Sequence, residues 1–169
     1  FASLKRANSH VRLIIAPRHL ERVSEVETFV RHAGMAPQRL SDDPPGDSWD
    51  VGIVDTFGQL PTYYGLADAV FIGGSLIPHG GQNPLEPASL AMPILFGPSM
   101  HNFADITQQL LDHRAARQLH DGSELAQALH DVLKDRAAAE AMGRRARDVV
   151  EASRGTTQRT LEALTPLLR

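Results

Sequence analysis

The sequence contains no cysteine, which excludes disulfide bonds and thiolate metal ligands from all 169 residues. Aromatic residues make up only 5% of the chain, and no apolar run approaches the roughly 20 residues that a membrane-spanning helix needs. The net charge of −3 gives no electrostatic reason to expect a nucleic acid or an anionic membrane surface as a partner. The 42% of hydrophobic and 22% of charged residues are typical of one soluble globular domain.

The first ten residues, FASLKRANSH, are typical of the last turns of a helix. No capping signal precedes them, and a predicted strand follows directly. A native domain seldom begins inside a helix, so we expect the chain to be a fragment of a longer protein.

Short apolar segments alternate with amphipathic segments along the chain. This alternation indicates parallel strands covered by helices on both faces. Because such crossovers are right-handed, the predicted fold is a doubly wound, Rossmann-like α/β domain with a helical C-terminal tail and no internal boundary. The predicted strands are 11–16, 50–55, 69–72, 93–96 and a brief one at RQL (117–119), and the predicted helices are 20–33, 57–66, 84–91, one through Phe103, Ile106 and Leu110, one through Leu125 and Val132, one through Met142 and Val149, and one through Leu161, Leu164 and Leu168.

Three segments with unusual composition follow predicted strands directly. They are PRH at 17–19, DTFGQ at 55–59 and GGSLIPHGGQNPLEP at 73–87. Ligands of doubly wound sheets bind at the carboxyl ends of the strands. We therefore expect a ligand site built from these three segments.

The third segment combines two glycine pairs, at 73–74 and 80–81, with a predicted helix start. Glycine can adopt positive φ and bring the backbone close to a ligand. Asn83 is a plausible N-cap and Pro84 suits the first helical position, so the helix would direct free N–H groups at an anion such as a phosphate. The spacing matches neither the P-loop nor the dinucleotide-binding fingerprint.

Glu86 lies in the first turn of that predicted helix. Its carboxylate can accept two hydrogen bonds from a vicinal diol such as a ribose. It can equally cap the turn and complement the helix dipole, which is worth about 0.3–1 kcal/mol. The chemistry alone leaves both interpretations open.

Several other polar residues in these segments have two interpretations each. Arg18, preset by the preceding proline, can bind a phosphate or carboxylate, or can simply be solvated. His19 and His79 can bind a ligand or have no such role, and no histidine spacing suits a metal, so no metal site is expected. Asp55 and Thr56 can cap the next helix or contact a base or sugar.

Covalent chemistry has no signature in this chain. It contains no Ser-His-Asp pattern at an elbow, no paired carboxylates at a suitable spacing and no cysteine nucleophile. Phe57 and Tyr63 are expected in the core, and the arginines at 144, 145 and 147 on a solvated helix face. The sequence favours holding a nucleotide over forming a covalent intermediate.

The segments IIAPRHLERVSEV, VDTFGQLPTYYGLADAVFIGGSLIPHGGQNPLEPASLAMPILFGP and HNFADI resemble the C-terminal half of 3-deoxy-D-manno-octulosonic acid (Kdo) transferases, over about residues 11–112. These enzymes have the GT-B architecture, two Rossmann-like domains facing each other across a cleft. The resemblance implies that the C-terminal domain binds the donor, CMP-Kdo. It assigns the membrane anchor, the lipid A precursor site and the catalytic base to an N-terminal domain.

The resemblance also implies roles for individual residues. Arg18 would contact the CMP phosphate, and Glu86 would hold the ribose hydroxyls. Gln82 stands where the family commonly has histidine, and Gln59 where it commonly has glutamate, so position 82 keeps hydrogen bonding without a positive charge. The implied donor site comprises Arg18, His19, Asp55, Thr56, Gly58, Gly73, Gly74, Ser75, Gly80, Gly81, Gln82, Asn83 and Glu86.

Residues 1–169 are thus predicted to be the nucleotide-sugar donor-binding domain of a glycosyltransferase of lipopolysaccharide biosynthesis, with the acceptor domain absent and no cofactor required. The family pattern also has a strand and a Thr-His loop ahead of residue 1. The full enzyme is expected at the cytoplasmic face of the inner membrane, and the fragment is expected to be soluble. Two alternatives remain, a GT-B transferase or epimerase using a UDP-sugar, and a non-catalytic nucleotide-binding module.

The chain should distinguish between the nucleotides CMP and UDP. The 169-residue chain should bind CMP weakly and in preference to UDP, and should transfer no sugar, because its base is expected elsewhere. Titrations followed by the amide shifts of residues 73–83 would measure the preference. A preference for UDP, or detectable transferase turnover by this chain, contradicts the prediction.

Overall fold

The computed structural model describes residues 1–42 and 48–164, with the backbone alone given for 154–164. The chain divides into two compact units, a first unit of Phe1–Leu66 and a second unit of Ala67–Arg169. The polar segment SDDPPGDSW at 41–49, whose composition predicts a loop, therefore lies partly outside the described residues, as does Leu168.

The first unit contains a three-stranded parallel sheet with the strand order β1-β3-β2. The central strand is buried along its whole length, as a strand covered on both faces must be. The strands are β1 (Leu13–Ile15), β2 (Pro37–Arg39) and β3 (Val51–Ile53), and the helices are α1 (Ala2–Ala7), α2 (Val23–His32, preceded by a 3₁₀ turn at Leu20–Arg22) and α3 (Leu60–Tyr64).

Strand β2 has no counterpart among the predicted strands. It is three residues long, begins with proline and carries two polar residues, so it has no apolar pattern. It is stable in this position because it lies at the edge of the sheet, where a proline without an N–H is tolerated.

The core of the first unit lies between α2 and β3. Val23 and Val30 from the helix pack with Val51 and Ile53 from the strand. The helix ends at His32, and Gly34, two residues later, has the φ of +72° expected of a helix-stop glycine.

An ion pair joins helix α2 to the edge strand β2. The Arg39 guanidinium lies 2.8 Å from the Glu27 carboxylate. This hydrogen bond lowers the pKa of Glu27, whose side chain is mostly buried. Arg39, one of the two polar residues of β2, therefore attaches this strand to helix α2.

The second unit contains another three-stranded parallel sheet, with the order β4-β5-β6. All three residues of the central strand are fully buried. The predicted parallel α/β architecture is thus confirmed, with six strands in two sheets among the described residues. The strands are β4 (Val70–Phe71), β5 (Ile94–Phe96) and β6 (Ala116–Gln118), and the helices are α4 (Leu85–Ser89), α5 (Ala104–Asp112), α6 (Leu125–Lys134) and α7 (Arg136–Leu164).

Helix α7 spans the segments predicted as two separate helices. It runs for 29 residues without a break. A single glycine at position 155 does not end it, because a helical glycine costs only about 1 kcal/mol. None of the helices in the described ranges is both long and apolar enough to cross a membrane.

Arg145 was expected on a solvated face of α7, and that expectation is wrong. Its Nε and one terminal nitrogen donate to the carbonyl of Arg114 at 2.9 and 2.7 Å. Arg114 has a φ of +51° in the turn between α5 and β6. Arg145 therefore fastens α7 to that turn, whereas Arg144 and Arg147 are exposed as predicted.

Helix α7 also packs closely on the turn between α4 and β5. Gly143 faces the carbonyl of Ala91, and a Cβ on this glycine would overlap that oxygen. Ala91 itself has a φ of +57°, which is uncommon for a residue with a side chain. Gly143 thus allows α7 to pack closely against the turn that follows the short helix α4.

Gly143→Ala should destabilise the protein. Helix propensity alone favours alanine by about 1 kcal/mol, but the new Cβ must displace backbone, and such overpacking costs about 1–3 kcal/mol. We expect a net loss of up to about 2 kcal/mol in the free energy of unfolding, measured by urea denaturation.

Gly122→Ala is the matched control, because its Cβ would lie 3.6 Å from the Leu76 Cδ1, an ordinary contact. Its stability should stay within about 0.5 kcal/mol of the parent chain. Equal unfolding midpoints for the two variants would refute the close packing at Gly143.

Candidate functional site

The glycine-rich segment of the second unit forms a closed loop between β4 and α4. The Gly81 N–H donates to the Gly74 carbonyl at 3.3 Å, and the Gln82 N–H donates to the Gly73 carbonyl at 3.0 Å. The two glycine pairs therefore hydrogen-bond to each other. Gly74, Gly80 and Gly81 have φ values of +72°, +93° and +74°, whereas Gly73 has no positive φ.

A segment that follows β5 holds this loop from the side. The Gly80 N–H donates to the Ser99 Oγ at 3.2 Å, and the Asn102 N–H donates to the Gly80 carbonyl at 3.2 Å. The Asn102 side-chain amide also donates to the His79 carbonyl at 3.1 Å. A Cβ on Gly80 would overlap the Asn102 side chain. Gly80 is therefore closely packed against the segment that follows β5.

The N–H groups of Gly80, Gly81 and Gln82 thus donate within the protein. Their bonds keep the loop in one conformation. The contact with a phosphate that we predicted for these positions stays a prediction.

Ser75 lies beneath the loop and is fully buried. Its hydroxyl donates to the Ile72 carbonyl at 2.6 Å and accepts from the Gly97 N–H at 2.8 Å. Its carbonyl accepts from the Ser99 N–H at 2.8 Å. Ser75 therefore joins the carboxyl ends of β4 and β5, and its hydroxyl faces the protein interior.

Helix α4 begins as the sequence predicts. The Asn83 Oδ1 accepts from the Leu85 N–H at 3.0 Å, and Pro84 has helical angles of φ −84° and ψ −11°. Asn83 is therefore the cap and Pro84 the first residue with helical angles. The hydrogen-bonded helix is five residues long, so the dipole that would attract an anion is that of about one turn.

Glu86 projects from this first turn and is exposed. Its Oε1 lies 3.5 Å from the Asn83 side-chain nitrogen, at the limit of a hydrogen bond. In the described part of the chain, no other group hydrogen-bonds or ion-pairs with this carboxylate. A capping glutamate would accept from the Asn83 backbone N–H, and that bond is not formed among these residues. The geometry leaves both carboxylate oxygens able to accept from a ligand.

The first unit carries the other predicted site residues at the carboxyl ends of its own strands, as expected. Arg18 and His19 follow β1, and His19 lies 3.4 Å from the Glu21 carboxylate. Thr56 and Gly58 follow β3, and Gly58 has a φ of +79°. Their roles at a ligand stay predictions.

The Asp55 carboxylate hydrogen-bonds to Ser41 and does not cap helix α3. Its carboxylate accepts from the Ser41 N–H at 3.1 Å and from the Ser41 hydroxyl at 2.6 Å. Helix α3 has no side-chain cap. The predicted capping role is therefore wrong, because Asp55 instead holds the chain that leaves β2.

Phe57 was expected in the core, and that expectation is also wrong. Its side chain is 83% exposed, whereas Tyr63 is half-buried and donates to the Gln59 Oε1 at 3.2 Å. An apolar residue in a short loop has no periodic pattern from which its burial can be predicted.

Ser99 and Asn102 are site residues that we did not predict. Both belong to a segment that follows β5 directly. The rule that ligands bind at the carboxyl ends of strands applies to β5 as it does to β4. The position of Ser99 and Asn102 directly after β5 could therefore have identified them from the sequence.

Comparisons with known proteins find clear relatives. A 3-deoxy-D-manno-octulosonic acid transferase from Haemophilus influenzae is 32% identical over 158 residues, which are 92% of this chain and 37% of that protein. The transferase of the same name from Bordetella pertussis is 34% identical over 154 residues, which are 90% of this chain and 36% of that protein. No family model matches the chain.

A solved structure is similar throughout most of its length. The crystal structure of the C-terminal CMP-Kdo binding domain of WaaA from Acinetobacter baumannii matches with a TM-score of 0.82 at 30% identity. The match covers 88% of this chain and 78% of that domain. The chain spans about a third of the length of the curated relatives it matches.

Ser75→Ala should destabilise the second unit. It leaves the buried Gly97 N–H without its acceptor, which costs about 1–3 kcal/mol. Urea denaturation should show this loss, and exchange of the Gly97 amide should accelerate.

The control is Ser89→Ala, since Ser89 is half-buried and donates only to the Glu86 carbonyl. Its effect should be about 0.5 kcal/mol or less. If Ser75→Ala is no more harmful than this control, the Ser75 hydroxyl does not hold the loop to the sheet.

Proposed function

The chain belongs to the 3-deoxy-D-manno-octulosonic acid (Kdo) transferase family, and on that basis we propose that residues 1–169 are the CMP-Kdo-binding domain of such an enzyme. The full enzyme would transfer Kdo from CMP-Kdo to a lipid A precursor. The proposal is supported by the 30% identity and the shared fold with a domain described as CMP-Kdo binding.

The observation that carries the proposal is the position of Glu86. An exposed carboxylate stands on the first turn of α4, next to the closed loop that follows β4. Two adjacent ribose hydroxyls can each donate to one carboxylate oxygen, and such charge-assisted hydrogen bonds are the stronger kind. The surrounding bonds of Asn83, Ser75 and Ser99 hold the backbone that carries it.

The donor also carries a phosphate, whose charge needs a partner. Residues 67–113 contain neither lysine nor arginine. A permanent positive charge for the phosphate therefore has to come from outside this segment. Arg18, which follows β1, stays our candidate because a guanidinium can bind two phosphate oxygens at once.

The proposed reaction is a single inverting displacement. A hydroxyl oxygen of the acceptor forms a bond to the anomeric carbon of Kdo, while the bond from that carbon to the CMP phosphate oxygen breaks and CMP leaves with the electron pair. The base that takes the hydroxyl proton would belong to the acceptor domain. This domain contributes by holding CMP and by stabilising the charge that grows on its phosphate.

The acceptor and the membrane are also part of the proposal. The lipid A precursor site and the attachment to the cytoplasmic face of the inner membrane would belong to the remaining two thirds of the enzyme. The basis is the family relationship, since the chain spans 37% of its Haemophilus influenzae relative.

Glu86→Ala tests the ribose contact. Wild-type protein should bind CMP more tightly than 2′-deoxy-CMP, and Glu86→Ala should reduce CMP affinity roughly tenfold or more, the effect of losing charge-assisted hydrogen bonds. The variant should also lose the preference between the two nucleotides. Isothermal titration calorimetry with both nucleotides measures this.

Glu151→Ala is the matched control, because Glu151 is an exposed carboxylate of α7 that lies 3.7 Å from Arg147. It should bind both nucleotides like the wild type. An unchanged preference for CMP over 2′-deoxy-CMP in Glu86→Ala would show that Glu86 does not contact the ribose and has only a structural role.

A further inference from the structure

A cavity lies in the first unit, at the opposite end of its sheet from Arg18 and Asp55. Its volume is about 490 Å³. Its lining includes the residues that immediately precede the three strands, Arg12 before β1, Ala36 before β2 and Asp50 before β3. The cavity is therefore at the amino ends of the strands, away from the predicted donor-binding segments of this unit.

A buried glycine in the central strand lies against Trp49, one of the residues that line this cavity. A Cβ on Gly52 would lie 3.0 Å from the Leu40 Cδ2 and 3.2 Å from the Trp49 Cζ3. Both side chains thus occupy the space that a side chain at position 52 would need. A glycine inside a strand often marks such a close approach. Gly52 allows the Trp49 indole to lie on β3.

Arg12 stacks on that indole. The guanidinium carbon lies 4.6 Å from the centroid of the Trp49 ring, a cation–π contact. Stacking restrains the plane of the guanidinium and leaves the N–H groups at its edge able to donate. An arginine restrained in this way loses less side-chain entropy when it binds an anion in the plane of its fork.

The described lining of the cavity contains two permanently positive side chains, Lys5 and Arg12, and one carboxylate, Asp50. Asp50 uses one carboxylate oxygen for Lys5, at 2.8 Å, and the other for the Ala36 N–H, at 2.9 Å. Lys5 and then the Ala36 N–H lower the pKa of Asp50, so this pair is ionised. Among the residues that the structure describes, Arg12 has no ion-pair partner. Among the lining residues that the structure describes, the permanent positive charges of Lys5 and Arg12 therefore face one carboxylate, that of Asp50, whose pKa Arg12 also lowers.

We propose that this cavity binds a phosphorylated ligand through the Arg12 guanidinium, with His10 and the Ser9 hydroxyl as further donors. A phosphate monoester presents three acceptor oxygens in different directions, which suits several donors better than a planar carboxylate does. The volume of about 490 Å³ also exceeds what a bare phosphate fills, so the ligand would carry an organic group. This site does not depend on the proposed donor site.

The test uses the single tryptophan of the chain, since its fluorescence reports on Trp49 alone. Inorganic pyrophosphate is titrated into the full 169-residue chain at constant ionic strength. We expect a saturable fluorescence change and a Kd at least tenfold higher for Arg12→Gln. Arg12→Lys, which keeps the charge but loses the fork, should give an intermediate Kd.

Arg22→Gln is the control, because Arg22 is an exposed arginine paired with Glu25 at 2.8 Å. It should behave as the wild type, and circular dichroism should show all variants folded. CMP affinity should be the same in Arg12→Gln as in the wild type, which separates this site from the donor site.

A second titration distinguishes a soluble ligand from a lipid headgroup. It uses phosphatidylcholine vesicles with and without phosphatidic acid, which carries a phosphate monoester. A change that depends on both phosphatidic acid and Arg12 supports a lipid source, and one seen with pyrophosphate alone supports a soluble source. If neither probe gives a saturable change that depends on Arg12, the proposal is wrong.

Discussion

The second unit depends on glycines at which the chain approaches its neighbours more closely than a side chain at that position would permit. Gly97 faces the Ser75 carbonyl, Gly81 faces the Met100 side chain, and Gly143 faces the Ala91 carbonyl, each where a Cβ would overlap its neighbour. These three contacts surround the central strand β5 and the short helix α4. They let the hydrogen bonds of Ser75, Ser99 and Asn83 form, and these bonds hold the loop and the start of the helix that carries Glu86.

This constraint changes the meaning of the glycine-rich segment. Its glycines suggested a backbone free to close on a phosphate, whereas the structure shows the N–H groups of Gly80 and Gly81 already bonded within the protein. The loop is a rigid support. The chemically available group is Glu86, with both of its oxygens open to a ligand and a position set by the Asn83 cap.

Much of the fold could be predicted, because apolar strands and amphipathic helices have distinct periods. The brief strand predicted at 117–119 is present at Ala116–Gln118, and the predicted helix start at Asn83 agrees with the structure. Strand β2 could not be predicted, because an edge strand with a proline has no apolar pattern. The predictions for Asp55 and Arg145 were wrong because their hydrogen-bond partners are distant in the chain. The prediction for Phe57 was wrong because its exposure depends on whether distant residues pack over its side chain.

The sequence by itself determined the family, the parallel α/β class and the carboxyl-end segments that carry the candidate site. These follow from local patterns and from an ordered series of motifs, neither of which needs a three-dimensional partner. Only the tertiary structure decided that the buried Ser75 connects the ends of β4 and β5 by hydrogen bonds, and that Ser99 and Asn102 hold the loop. It also decided that Trp49 and Arg12 stack over Gly52. The physical reason is that hydrogen bonds and ring contacts between distant residues depend on distances and directions that no local pattern encodes.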